Sequence, residues 1–298
     1  MTLYTQKDSN IRKTWFLLTF FFVLIIGIGF VFAQVYGNPG ILYFAIVFSI
    51  LANFFAYWYS DKMVLSMTKA KPLAKKDNSD LYNIVENLSI TAGLPMPKIY
   101  IVHEQAPNAF ATGRNAKNSV IAVTDGLLKR LDRTELEGVI AHEMSHIGNR
   151  DMLLSTVVVV LAGFIALASN IFLRTLAFGG GRRRSNGRGG IIFLVLGIVG
   201  AILAPIAATI IRLAISRKRE FLADASGSLL TRYPDGLINA LEKISADKTP
   251  MRVANTATAH LWLDSPFKGQ KKISWFQKLF LTHPPIEERI KALREMDI

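Results

Sequence analysis

Two apolar runs near the N-terminus constrain this chain more than any other feature. Trp15 to Phe32 carries no charge and follows Arg12 and Lys13; Ile41 to Tyr59 carries none either, and only the uncharged turn QVYGNPG lies between them. Each is close to the roughly twenty residues a helix needs to cross a hydrocarbon core of about 30 Å, so the pair reads as a transmembrane hairpin. The rival is a cleaved secretory signal, since Val31-Phe32-Ala33 resembles a small-residue cleavage site. The first run is longer than the apolar region of such signals and a second span follows at once, which favours an anchor. Basic residues sit on the outer flanks (Arg12 and Lys13 before the hairpin; Lys62, Lys69, Lys71, Lys75 and Lys76 after it) and none in the turn, which places both flanks in the cytoplasm.

Two more apolar runs follow, Met152 to Leu173 and Ile191 to Ile211, the latter with a kink expected at Pro205. Between them lies RTLAFGGGRRRSNGRGG, residues 174–190, which has no hydrophobic periodicity and reads as a loop. Lys and Arg number 35 against 22 acids, a formal charge of +13. Such a balance suits nucleic acid or anionic lipid. The RRRSNGRGG stretch has no aromatic residue interleaved with its arginines, so the lipid bilayer is the expected partner and nucleic acid is not. Cysteine is absent, which excludes disulfides and thiolate metal sites.

The polar stretches supply a small α+β unit. Asp77 to Gly93 is amphipathic, with Leu81, Ile84, Val85 and Leu88 on one face and Gly93 as its stop. PKIYIVHE, NAFATGRN and SVIAVTD read as short strands, the last two joined by a turn around Gly113 to Lys117. Thr134 and Glu137 make a T-x-x-E capping box that would start the next helix. Further helices are expected over RKREFLADASGSLL, over Asp235 to Ala246, and after HPPIEERI.

The helix after the capping box contains EGVIAHEMSHIGNRD. Residues four apart share a helical face, so His142 and His146 can direct their imidazoles at one point, with Glu143 beside them. A polar helix surface would produce the same letters, but Ile140, Met144 and Ile147 make the neighbourhood apolar. Catalytic zinc takes three protein ligands and keeps a fourth position for water. With no cysteine, the third ligand must be His, Asp or Glu: His103, His260 and His283 are available, but Glu220 and Asp224, four apart on a second helix, are preferred. Glu220 would ligate and Asp224 would accept the free N–H of a ligating histidine.

HEMSH on one helix, EFLAD on a second, NAFATG upstream and THPPIEER near the end together resemble the HtpX family of membrane zinc metalloproteases, itself related to the CAAX prenyl proteases. The likeness covers nearly the whole chain, including the placement of four apolar segments. It implies His142, His146 and Glu220 as ligands of one zinc per subunit and Glu143 as general base. It also implies Asn108, Ala109, Phe110 and Ala111 as a substrate-binding edge strand, with His283 and Arg289 as an HP…R element that binds substrate or steadies the oxyanion. The RRRSNGRGG loop has no role in that pattern. One ion cannot be held from both sides of a bilayer, so the third and fourth runs together cross twice or not at all.

The expected architecture is an α+β integral membrane protein with a mainly helical zincin-like catalytic domain and a small β-sheet. Residues 1–60 form the hairpin, 61–151 a catalytic part with the HExxH helix, 152–211 a second apolar hairpin, and 212–298 a second catalytic part. The expected function is hydrolysis of peptide bonds in misfolded or damaged proteins at the cytoplasmic face of the cell membrane. A maturation peptidase for one membrane substrate and a non-catalytic zinc-binding scaffold are the rivals.

Overall fold

The computed structural model describes residues 3–164, 217–253, 258–267 and 284–296. The Gly/Arg loop, the fourth apolar run, the end of the third and His283 lie outside the described residues.

Helices α1 (Leu3–Tyr36) and α2 (Gly40–Trp58) form the hairpin, turning at Gly37 and Pro39. Both are long and apolar enough to span a membrane, and they are the two unbroken helices of that kind among the described residues. Their packing inverts that of a soluble helix pair. The face α2 buries is small (Ala45, Ser49, Ala52, Ala56), while Tyr43, Phe44, Val47, Ile50 and Phe54 point outward. At Gly29 of α1 an added methyl would overlap Ala45, so the two backbones approach closely. Small residues between helices and large apolar ones outside are what lipid as solvent selects.

A short helix α3 (Ser60–Met67) leads into a four-stranded sheet. Its strands are β1 (Lys71–Pro72), β2 (Lys98–Val102), β3 (Ala109–Gly113) and β4 (Ser119–Thr124), in the order β1-β2-β4-β3. β2 and β4 run parallel, while β3 is antiparallel to β4 and leaves its other edge facing the site. The amphipathic helix α4 (Ser79–Ala92) ends where Gly93 takes the left-handed conformation a side chain would strain. Its Leu81, Ile84, Val85 and Leu88 enter one core with Ile99, Ile101, Ile121 and Val123 of the sheet.

After α5 (Asp125–Arg130) comes α6 (Arg133–Asn149), buried along most of its length. The capping box lies two residues earlier than the sequence suggested. Asp132 accepts from the Glu135 amide at 3.0 Å and Glu135 returns a bond to the Asp132 amide at 2.9 Å. Thr134 instead donates to Asp132, and Glu137 pairs with Arg133. D-x-x-E and T-x-x-E overlap in the chain; Lys243, 2.6 Å from Glu135, favours the first. Asp132→Ala should therefore cost about 1 kcal/mol of stability, read as a lowered Tm, whereas Thr134→Ala should cost less.

Arg150 adopts a left-handed conformation, and the chain turns by 87° into α7 (Asp151–Phe164). Leu154, Val157, Val158 and Leu161 of α7 pack on Leu17, Phe21, Ala52 and Ala56 of the hairpin. The sheet and the helices around it are thereby seated on the hairpin. Helices α8 (Arg217–Thr231), α9 (Pro234–Ala246) and α10 (Ile286–Arg294) complete the described fold, α8 and α9 both lying against α6.

Candidate active site

His142 and His146 leave one face of α6, and their Nε2 atoms stand 3.2 Å apart. Glu220 reaches in from α8, with Oε2 3.9 Å from His142 Nε2 and Oε1 3.9 Å from His146 Nε2. All three ligand atoms lie within 4.8 Å of one another. The crossing of the two helices makes this possible. Gly227 sits so close to α6 that a methyl there would stand 2.9 Å from the His142 backbone nitrogen and 3.1 Å from the Ala141 carbonyl carbon. Gly227→Ala should raise helix propensity by about 0.5–1 kcal/mol yet push α8 away from α6. The expected outcome is weaker metal binding, measured by competition with a chelator.

The opposite nitrogen of each ring is held by a carboxylate. His142 Nδ1 is 2.9 Å from Asp224. His146 Nδ1 is 3.0 Å from Asp151. Asp151 was not foreseen: it follows the left-handed Arg150, and only the sharp turn into α7 brings it back over α6. The one available signal was an acid directly after the end of the HExxH helix. Arg289 grips Asp224 with Nε at 2.8 Å and Nη2 at 2.6 Å, while Nη1 donates to the Leu263 carbonyl at 3.3 Å. Its guanidinium is fully buried.

These hydrogen bonds decide what the cluster can hold. With each Nδ1–H donating to a carboxylate, the Nε2 atoms carry lone pairs that face each other at 3.2 Å. Two such acceptors repel unless a proton or a metal ion lies between them. Ligand atoms around tetrahedral zinc at about 2.05 Å are separated by roughly 3.3 Å, so the imidazole pair fits that ion, with the Glu220 oxygens, at 3.9 Å, slightly wider. The surroundings favour positive charge at that point. Burial opposes a charge on His146, but the hydrogen bond and charge of Asp151, with Glu220 and Glu143, overcome it and lift the ring to about 9. Burial pushes Glu143 above the ordinary carboxylate range, with the two histidines opposing and Glu220 assisting. Burial would raise Asp224 as well, yet Arg289 and His142 hold it down at about 2.

Glu143 lines the same cleft as the three candidate ligands, together with Ala111 of β3 and the segment His260 to Leu263. The Asn108–Ala111 stretch lies where the edge strand was expected, with one difference. Asn108 is buried, and its side chain binds the chain's own Asp264, donating to the carbonyl at 2.9 Å and accepting from the amide at 3.2 Å. Phe110 points to the opposite side of the sheet, its ring 4.8 Å from that of Trp262. His103 pairs with Asp125 away from the cluster; His260 lines the cleft, its Nε2 3.2 Å from the Ser155 carbonyl.

The model of Peptidase family M48 matches residues 75–297. A "Protease HtpX homolog" from Caldanaerobacter subterraneus subsp. tengcongensis is 47% identical over 302 residues, covering 100% of this chain and 99% of the relative. Another, from Thermoanaerobacter pseudethanolicus, is also 47% identical, over 99% of this chain and 98% of its own length. A third, from Thermococcus sibiricus, is 46% identical with 95% of each chain covered. Among solved structures, S. mikatae Ste24p shares the fold with a TM-score of 0.50 at 20% identity, over 97% of this chain and 67% of that one. With a family match across the catalytic part and relatives aligned from end to end, this chain belongs to peptidase family M48, as a membrane metalloprotease of the HtpX type.

Proposed function

We propose that this enzyme cuts misfolded or damaged polypeptides, membrane proteins among them, at the cytoplasmic face of the cell membrane. The observation that carries the chemistry is the pair of imidazole Nε2 atoms 3.2 Å apart beside Glu220, with Glu143 in the same cleft. In this reading His142, His146 and Glu220 hold one zinc per subunit. Bound zinc supplies Lewis acidity, which makes a water nucleophilic at neutral pH and polarises a peptide carbonyl. Glu143 takes the proton from the attacking water and delivers it to the leaving amine; its burial raises its proton affinity toward what that exchange needs. Asp224 and Asp151 keep both rings in the tautomer that presents Nε2, and Arg289 fixes Asp224. His283 retains the substrate or oxyanion role that the family resemblance implies.

Substrate recognition falls to the free edge of β3. Main-chain pairing there is nearly blind to side chains, which suits a clearing protease and requires an unfolded segment. The cytoplasmic placement rests on the basic flanks of the hairpin and on α7, which seats the site against α1 and α2.

Purified in detergent, the protein should contain about one zinc per chain, degrade casein, stop on chelation and recover on addition of zinc. Zinc-loaded protein that leaves casein intact would overturn the hydrolytic reading. The cysteine-free background permits a topology test, with Lys75→Cys expected to react with an impermeant maleimide only from the cytoplasmic side.

A further inference from the structure

The free edge of β3 is shorter than its sequence suggests. In an antiparallel pair, alternate residues turn their N–H and C=O toward the neighbouring strand or away from it. The Thr124 amide donates to Asn108 O, so residues 108, 110 and 112 face β4, while 109 and 111 face outward. The outward carbonyl of Ala109 is already taken, since the Leu263 amide donates to it at 2.9 Å. The Leu263 carbonyl, in turn, accepts from Arg289. Asp264, the next residue, is bound at both amide and carbonyl by Asn108. The segment Leu261 to Asp264 thus lies along the edge as a substrate strand would, and holds the first of its pairing positions.

Its burial says that it stays there. Trp262 and Leu263 are 0% and 2% exposed, and the Trp262 ring packs edge-on against Phe110. Lifting the segment would return a buried tryptophan and leucine to solvent and strip Asn108 and Arg289 of their partners. Ala111 is different. It lines the cleft beside His142 and Glu143, and among the described residues nothing pairs with its outward amide and carbonyl.

We infer that Leu261 to Asp264 is a fixed end wall of the substrate groove. A substrate main chain pairs at Ala111 and is turned away before Ala109, and the wall, with the buried Trp262 ring as its support, limits which residues are accepted on that side of the bond cut. This rests on the reading of β3 as the substrate edge, and it makes Arg289 a positioning residue that locks both His142, through Asp224, and the wall.

Hydrogen exchange on the full-length Glu143→Gln protein in detergent, zinc-loaded, with and without casein, tests it. Amides around Ala111 should slow by about ten-fold on adding casein while those of 259–264 stay slow and unchanged. A rise in exchange over 259–264 when casein binds would show a displaceable strap and overturn the wall. So would casein binding without slowing at Ala111. As a second measurement, Trp262→Ala should redistribute the cut sites in casein, while Trp262→Phe, which keeps a ring against Phe110, should preserve the parent pattern. Identical cut sites in active Trp262→Ala would also overturn it. Failure of the parent protein to cut casein would instead count against the proteolytic reading, which separates the two.

Discussion

Glu143→Gln is expected to lower casein hydrolysis by about 10²- to 10⁴-fold, the usual contribution of a positioned general base, while leaving zinc content unchanged. The amide keeps the size and hydrogen-bonding reach of the carboxylate but cannot accept the proton of the attacking water. Its effect on stability should have the opposite sign. The Glu143 carboxyl is buried and its proton affinity raised because a charge there is poorly solvated. A neutral side chain removes that cost, so the metal-free variant should melt at the same temperature as the parent or higher. Casein turnover, metal analysis and thermal melting on one preparation check all three statements. A variant as active as the parent would remove Glu143 from the chemistry.

The second large effect concerns Arg289, which does not itself line the cleft but stands behind it, 3.3 Å from the Leu263 carbonyl and 3.4 Å from His142 Nδ1. Arg289→Met keeps most of the side-chain volume but leaves Asp224 buried without its partner, and breaking a buried pair from one side costs about 3–5 kcal/mol. The damage should extend to the metal. Asp224 unpaired is harder to keep ionised and orients His142 less firmly, so zinc affinity should fall by about 10- to 100-fold, as when such supporting carboxylates are lost. Adding Asp224→Leu to Arg289→Met separates the two consequences. With neither charge present the core should regain most of its stability, while His142, now without a partner for Nδ1, should not regain its zinc affinity. A double variant that recovers both would show that the pair acts only through stability.

Much of the site was legible in the chain because it depends on helical geometry alone. His142 and His146 share a face of α6 and Glu220 and Asp224 a face of α8 at any tertiary arrangement, since a four-residue spacing returns nearly one turn. The composition of Ile140, Met144 and Ile147 already placed the first pair in an apolar setting, and all three are buried in the structure. The two N-terminal helices were equally readable, because an uninterrupted apolar run has one physical resolution when it cannot be covered by the rest of the chain.

The features that escaped the sequence come from contacts between distant segments. Two overlapping capping boxes compete at the start of α6, and a lysine more than a hundred residues away favours one of them. Asp151 reaches His146 only because Arg150 takes a left-handed turn and bends the chain by 87°. Asn108 was expected to face a substrate and instead holds Asp264. Local spacing determined which residues could act together on each helix, because the helical repeat is a property of the backbone. Which helix meets which, what fills the edge of β3, and where Arg289 spends its charge were decided by tertiary packing, because those choices depend on surfaces that exist only once the chain has closed on itself.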